Sequence, residues 1–168
     1  MSIDQIGLKL LRVAPLISST AGVMCAWGQQ FAVYSFIDKT VPQEPAGATL
    51  PYWFPVLFSQ LTWAVGIIHP LGALLGLWNS IGASSESLDP QTRYFYFLGG
   101  LFAAGHLFYG KAAMAIINTI WNDRLPGTQN LRALSPWLRL NRQRVYTANI
   151  PAFIFFLLAL LSAVGPKE

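Results

Sequence analysis

Four long apolar runs restrict this chain to a small set of folds. They cover residues 13–36, 54–81, 95–121 and 145–165, and Lys111 is the only residue with a fixed charge inside them. A hydrocarbon core about 30 Å thick is crossed by about 20 helical residues, so each run is long enough to span a membrane. Charged residues make up 11% of the chain and apolar residues 54%. This composition is typical of an integral membrane protein.

The predicted fold is all-α, an integral membrane bundle of four transmembrane helices. Only helices or closed barrels satisfy every backbone polar group in lipid, and the chain lacks the alternating ten-residue segments of a barrel. The runs leave no room for a soluble domain, so residues 1–168 are predicted to form a single membrane domain. The first run is too long for a signal peptide and is interpreted as a retained span. The protein is therefore expected to be multi-pass, with the endoplasmic reticulum as a candidate membrane.

Cysteine content and charge exclude several kinds of site. Cys25 is the only cysteine, which excludes intramolecular disulfides and cysteine-based metal clusters, and no metal site is predicted. The formal charge is +4, and the arginines cluster beside the apolar runs. Anionic lipid headgroups explain these arginines more simply than nucleic acid does. Membrane lipids are therefore predicted partners, and nucleic acid is not.

Prolines and turn residues predict how the runs are connected. Segment 37–53 contains three prolines and is predicted to be irregular. Asp89 and Pro90 predict an N-cap followed by proline at the first helical position, where the third helix starts. Residues 131–144 are predicted to form an interfacial helix before the last span, with Trp137 at the level of the lipid headgroups.

Small residues predict where helices pack closely. Gly72 and Gly76 lie one turn apart in the second run, and Gly99 and Gly100 are adjacent in the third. Such residues let helix backbones approach each other in lipid. The second and third helices are therefore expected to pack tightly within the bundle.

Two histidines lie near the midpoints of the second and third runs. His69 lies just past one midpoint and His106 just before the next, so antiparallel spans place both imidazoles at nearly the same depth. Ionisable side chains at that depth are costly and usually face the interior, which makes them candidate functional residues. Three roles are open: hydrogen-bonded packing, acid–base catalysis by a neutral imidazole, and axial ligation of a haem. Pro70 predicts a kink beside His69, which either opens a cavity or accommodates packing.

A second set of side chains supplies candidate substrate contacts. Lys111, Asn118 and Asn122 share one stripe of a helix, and Lys111 points about 140° away from His106 at 100° per residue. One pocket holding both residues would have to extend around the helix. Lys111 has the alternative of reaching the headgroups without a functional role. The other candidate substrate contacts are the polar Gln60 and the aromatic Trp63 and Tyr109.

The segment before the last run resembles a motif of anthrone-oxygenase-like membrane proteins. The residues that match the W-x-x-L-N-x-x-R pattern of that family are Trp137, Leu140, Asn141 and Arg144. Asn122 and Leu125 also match its P-T-N-x-x-L element at the end of the third run. The chain departs from that element at Ile120 and Trp121, which replace the proline and the threonine. The four-span layout and the overall length agree with the family as well.

This resemblance implies an oxygenase that acts on an anthrone or a similar phenolic polyketide, with dioxygen and without a known organic cofactor. In such a reaction a base removes a proton from the activated ring carbon, and the carbanion reacts with dioxygen in a dry pocket. His69 or His106 would be the base. The oxyanion would be bound by Asn122, Asn141 and Arg144. The two departures from the family pattern leave another substrate, or a cyclisation, open.

Structural roles are also open for the motif. Asn141 and Arg144 could cap the last helix and bind lipid phosphate, and Trp137 could be an interfacial anchor. The leading hypothesis is a membrane monooxygenase of secondary metabolism with an apolar aromatic substrate. The alternatives are an electron carrier that binds haem through both histidines and a non-enzymatic membrane scaffold. Self-association into a homo-oligomer is open.

Overall fold

The computed structural model describes residues 3–122 and 127–164, which are helical apart from short connections such as 38–42 and 86–89. Within the described residues the α-helices are α1 (Ile3–Tyr34), α2 (Gln43–Ile81), α3 (Pro90–Gly105), α4 (Gly110–Asn122), α5 (Leu134–Arg144) and α6 (Ile150–Val164). A 3₁₀ turn, His106–Tyr109, joins α3 to α4, and a π turn, Val145–Asn149, joins α5 to α6. Shorter 3₁₀ segments cover Ser35–Ile37, Ala83–Ser85 and Gly127–Ala133.

The helices combine into four rods that are each long and apolar enough to cross a membrane. The rods are Asp4–Ile37, Gln43–Ile81, Pro90–Asn122 and Thr128–Val164. This confirms the all-helical architecture and the number of spanning-length helices. The rods extend beyond the apolar runs, and α1 begins near the start of the chain rather than at residue 13. α2 packs against α1 and α3, and α6 packs against the same two helices, which closes the bundle.

The second rod is longer at its N-terminus than its prolines predict. The prediction of an irregular segment over 37–53 is wrong, because α2 covers most of these residues. Pro45 lies in the first turn, where backbone N–H groups have no helical partner and proline costs little. Pro51 and Pro55 each remove one hydrogen bond from the helix interior. The complete burial of Phe54 between them shows that packing holds the helix together there.

The third rod begins as its sequence predicts. Asp89 is the N-cap of α3, its side chain accepts a hydrogen bond from the backbone N–H of Thr92 at 2.9 Å, and Pro90 follows it. The Thr92 hydroxyl also donates to Asp89 at 2.6 Å. These hydrogen bonds hold the pKa of the Asp89 carboxyl below its usual range.

The segment before the last run is part of the fourth rod and not a separate interfacial helix. α5 continues into α6 through the π turn, and Trp137 is 1% exposed instead of lying at a membrane surface. Its indole meets the rings of Phe54 and Phe58 edge-on, at centroid distances of 5.8 and 4.5 Å. Burial of this large apolar area against α2 favours an inward position over an interfacial one.

Glycines let α2 and α3 approach closely, as predicted. A Cβ atom at Gly76 would lie 2.9 Å from the Cα atom of Gly100 and 2.7 Å from the ring of Phe156. A Cβ atom at Gly99 would lie 2.5 Å from the same ring. Phe156 of α6 is completely buried, so its ring fills the groove that these glycines leave.

Gly99→Ala is expected to destabilise the bundle by about 1–3 kcal/mol, because the new methyl group would overlap a packed ring. Gly105→Ala on the same rod is the matched control, since nothing lies within 4 Å of a Cβ atom placed there. Thermal unfolding in detergent, followed by circular dichroism, should give a lower Tm for Gly99→Ala only. Equal Tm values would show that Phe156 does not fill this groove.

Candidate active site

Buried polar residues separate two apolar clusters along the second, third and fourth rods. One cluster contains Trp137 and the other Phe156. The polar residues between them are His69 (6% exposed), His106 (4%), Arg144 (5%) and Asn149 (3%). Polar groups buried this deeply require partners inside the bundle, and these partners define the site.

The two histidines are in direct contact. The rings of His69 on α2 and His106 at the end of α3 stack with centroids 3.4 Å apart and an angle of 14° between the ring planes. The two imidazoles therefore lie at the same level along the bundle, as their positions in the two runs predicted, and no side chain separates them. Whether either ring is catalytic stays a prediction.

Helix α1 makes room for the His69 ring because it has a glycine, Gly22, opposite that ring. A Cβ atom at Gly22 would lie 2.8 Å from Cε1 of His69, so only glycine fits opposite this ring. The hydroxyl of Ser18 donates to the carbonyl oxygen of Ile68 at 2.7 Å, just before Pro70 interrupts the backbone bonding of α2. Two features of α1 thus hold His69 at the centre of the bundle.

The π turn of the fourth rod orients His106. Nδ1 of His106 lies 2.8 Å from Oδ1 of Asn149. In the tautomer that carries the ring proton on Nδ1, this nitrogen donates to the amide oxygen and Nε2 keeps its lone pair. Nδ2 of Asn149 is buried and has no hydrogen-bond partner within the described residues. This pairing leaves His106 as a hydrogen-bond acceptor at Nε2, which is the form that can take a proton.

Amide side chains hold the guanidinium of Arg144. Nε and Nη2 donate to Oδ1 of Asn141 at 3.0 and 2.7 Å, and Nη2 also donates to Oε1 of Gln29 at 2.5 Å. Asn141 is held in turn, because its Nδ2 donates to the carbonyl oxygen of Ala26 at 3.0 Å and to Gln30 at 2.9 Å. The guanidinium carbon lies 5.3 Å from the ring centroid of Trp137.

Within residues 3–122 and 127–164, no Asp or Glu carboxylate pairs with Arg144, and the acidic group that acts on it is the thiol of Cys25. Its contacts there are amides and an aromatic face, which stabilise a guanidinium without neutralising it. A buried charge without a counterion is costly, and burying an anion beside it would lower that cost. Nη1 donates to none of the described residues, so it is available to such an anion.

His106 and Arg144 line the same cavity, which we call the main cavity. Its volume is about 220 Å³. Its walls come from all four rods and are mainly apolar. The lining residues that matter below are Gln29, Phe58, Gly66, Tyr109, Gly110 and Trp137. A proton acceptor and an unneutralised cation therefore face one space that is otherwise apolar, which suits the formation of an anion from a neutral molecule.

His69 borders a second, much smaller cavity. This cavity has a volume of about 10 Å³, and its lining includes Ser18 and Asn149. Its volume is about that of a single water molecule. The stacked histidines therefore lie between the two cavities, and only His106 borders the main one.

Two predicted substrate contacts besides Arg144 belong to the site. Tyr109 lines the main cavity, and its hydroxyl lies 2.7 Å from Oγ1 of Thr147. Asn141 is 1% exposed and contacts Arg144, so it positions the guanidinium and does not line the cavity itself. Trp137 of the same motif does line the cavity, and its buried Nε1 has no partner within the described residues.

The remaining predicted contacts lie on the outer surface of the bundle. Those on α4 are Lys111, Asn118 and Asn122, and those on α2 are Gln60 and Trp63, the last 77% exposed. α4 turns its opposite face inward, where Ala113 and Ile117 are buried. The stripe is therefore real but faces away from His106, as the angle between His106 and Lys111 indicated. Leu125 of the second motif lies outside the described residues.

Gln29 and Asn149 are the contacts that sequence reasoning did not single out as site residues. Asn149 is the only asparagine in the run 145–165, and Gln29 lies within the first run. A primary amide inside a membrane-length run is as informative as a histidine, because it too must find a partner there. Within the described residues no group of three or more His, Cys, Asp or Glu side chains could hold a metal ion.

Fungal proteins are similar to this chain over nearly its whole length. A protein named probable epoxidase scpX, from Mollisia scopiformis, is 29% identical over 94% of this chain and 98% of its own length. Epoxidase pydX from an Acremonium species is 28% identical over 98% of this chain and 100% of its own length. Epoxidase gkaX from Penicillium citrinum is 28% identical over 94% of this chain and 96% of its own length. No protein-family profile and no solved structure matches the chain. Similarity to proteins named epoxidases supports an oxygenase-type biosynthetic enzyme.

Proposed function

We propose that this protein is a membrane-embedded oxygenase of secondary metabolism that ionises its own substrate and needs no organic cofactor. The observation that carries the proposal is the single cavity shared by His106 and Arg144. A base alone would give an anion with no stabilising partner. Together with a buried cation, it can form and hold a carbanion whose charge spreads onto oxygen.

The substrate that suits this pair is an anthrone-like or other phenolic polyketide with an acidic C–H bond. Nε2 of His106 removes the proton, and the electron pair moves through the ring onto the oxygen that faces Arg144. The carbanion reacts with dioxygen to form a C–O–O⁻ group, which takes back a proton as a hydroperoxide. Loss of water from the same carbon leaves a carbonyl group, so CH₂ and O₂ become C=O and H₂O. The substrate supplies all four electrons, and no external reductant is required.

The same peroxide connects this site to the names of the relatives. A C–O–O⁻ group near an electron-poor double bond can add its terminal oxygen to the alkene carbon. The resulting carbanion then closes on that oxygen and breaks the O–O bond, which leaves an epoxide and an alkoxide. One dioxygen molecule thus gives one epoxide and one hydroxyl group, again without a reductant. Both outcomes begin with the same deprotonation by His106.

The apolar walls support this chemistry. Phe58 and Trp137 offer aromatic faces to a flat substrate. A cavity with few polar groups excludes water, which strengthens the attraction between Arg144 and the anion and protects the peroxide from side reactions.

The haem alternative fits the histidines poorly. Axial ligation by two histidines requires ring nitrogens that point at one iron from opposite faces of a macrocycle. His69 and His106 instead stack face to face at 3.4 Å, which leaves no room for a macrocycle between them. The stacked pair therefore favours acid–base chemistry over haem binding.

Oxygen uptake by the purified protein in lipid nanodiscs tests the proposal. With an anthrone as substrate, we expect one O₂ consumed per molecule oxidised and one ¹⁸O atom from ¹⁸O₂ in the product. Neither NAD(P)H nor flavin should be required. Heat-denatured protein corrects for the spontaneous oxidation of anthrones. Turnover that depends on an added reductant would refute the cofactor-independent mechanism, and a Soret band in the visible spectrum would support the haem alternative.

A further inference from the structure

The main cavity opens sideways, on the outer surface of the bundle between α2 and α4. The residues that line it and are also exposed are Thr62, Gly66, Leu107, Gly110 and Met114. We call these five residues the mouth. Its opposite end is closed by the buried side chains of Gln29, Trp137 and Arg144. The only cation among the described lining residues therefore lies at the closed end.

The mouth lies near the depth of the histidines. Gly66 lies about one turn from His69 along α2, and Gly110 about one turn from His106 along the third rod. In a membrane-spanning bundle this depth is within the hydrocarbon layer and not at either aqueous surface. A molecule that reaches the mouth must therefore arrive from the lipid.

Two glycines of the mouth are not explained by helix packing. No atom lies within 4 Å of a Cβ atom placed at Gly66 or Gly110. This contrasts with Gly76 and Gly99, where a Cβ atom would meet the ring of Phe156 at 2.7 and 2.5 Å. Gly7, Gly28 and Gly105 are equally open, so what distinguishes Gly66 and Gly110 is that both line the main cavity. The missing side chains keep the mouth wide.

The cavity is also too small for a whole polyketide-sized molecule. Its volume of about 220 Å³ is below the range of about 300–1,000 Å³ that encloses a drug-sized ligand. Only the reacting part of such a substrate fits between the mouth and Arg144. The rest must extend through the mouth to the outer surface.

We infer that the substrate is a two-part molecule that enters sideways from the bilayer. Its compact head carries the acidic C–H group and a conjugated oxygen, and it binds in the main cavity as an anion beside Arg144. Its neutral, apolar body stays in the mouth and contacts the lipid. This inference rests on the proposed function, because it assigns the substrate class of the same site.

A binding experiment separates this inference from the oxygenase reaction. The probe is an acidic phenolic ketone with an alkyl tail that carries a diazirine, dissolved in the nanodisc lipid and activated by light. We expect saturable labelling of peptides that contain Leu107 or Met114. The double variant Gly66→Leu/Gly110→Leu should reduce labelling at least tenfold, since two leucines would narrow the mouth. Gly28→Leu is the matched control, because Gly28 is exposed on α1, outside the cavity, with nothing within 4 Å of its Cβ position.

Folding is monitored by Tm, and Gly66→Ala gives a milder variant that should reduce labelling less. Labelling that does not saturate would mean that lipid chains occupy the mouth, and equal labelling of the double variant and the wild type would mean that entry is elsewhere. Either result overturns the inference. Saturable labelling that depends on the two glycines, in a protein that consumes no oxygen, would uphold the inference and refute the oxygenase proposal.

Discussion

His106→Ala is expected to lower kcat by about 10²- to 10⁴-fold, the range typical of losing a general base. His106 is the only imidazole among the described residues that line the main cavity, and its Nδ1 is paired with Asn149, which leaves Nε2 as the proton acceptor of the proposal. Without it, proton removal would depend on water, which the apolar walls exclude. The measurement is the initial rate of oxygen uptake with an anthrone, together with the Tm of the variant.

Variants of the two residues that contact His106 show whether they act only by positioning its ring. Asn149→Ala removes the acceptor that keeps the ring proton on Nδ1, so it should reduce kcat with a shifted pH profile and little change in KM. His69→Ala removes the stacked ring, which borders only the smaller cavity, and a smaller loss is expected. Normal turnover in both histidine variants would refute base catalysis by either imidazole.

Arg144→Met is expected to lower kcat by about 10²- to 10³-fold, as removal of one oxyanion-binding group does in other enzymes. The effect on stability should be small because two terms oppose each other. Gln29 and Asn141 lose a donor, at a cost of about 1–3 kcal/mol, whereas a buried charge without a counterion is also removed. Activity and stability should therefore respond separately, and both can be measured on one preparation.

This separation distinguishes a site role from a structural one. If Arg144 only capped the last helix and bound lipid phosphate, activity and Tm would fall together. Arg144→Lys keeps the positive charge but loses the planar guanidinium, which can donate several hydrogen bonds at once. The kcat of this variant should therefore lie between that of Arg144→Met and that of the wild type. Lys111→Met is the matched control, because it removes a cation from the outer surface of the same bundle. A comparable loss of activity in that control would contradict the placement of the anion beside Arg144.

The common level of the two histidines along the bundle and the identity of the buried arginine were both predictable. Helical rise and membrane thickness are fixed quantities, so position along a run converts directly into depth. The motif before the last run pointed to Asn141 and Arg144, which the structure joins in one network. The position of Trp137 was not predictable in the same way, because an indole suits both a membrane interface and a packed core.

The rotation of each helix also escaped prediction, and α4 is the clearest case. Spacing placed Lys111, Asn118 and Asn122 on one stripe about 140° from His106, but it left open whether the cavity extended around the helix to reach that stripe. In a soluble protein the apolar face of a helix identifies the core, but here the outer surface is as apolar as the interior. The inward face of α4 instead carries small and branched residues such as Ala113 and Ile117, selected by packing against the other rods.

Local constraints were therefore sufficient for the number of helices, their approximate extent and the level at which the imidazoles lie. Contacts between distant segments were needed for everything that makes these residues a site: the stacking of His69 on His106, the pairing of His106 with Asn149, and the amides around Arg144. The physical reason is that a chain crossing lipid buries polar groups only where another helix supplies a partner. A linear sequence names those groups, but it does not state which of them meet.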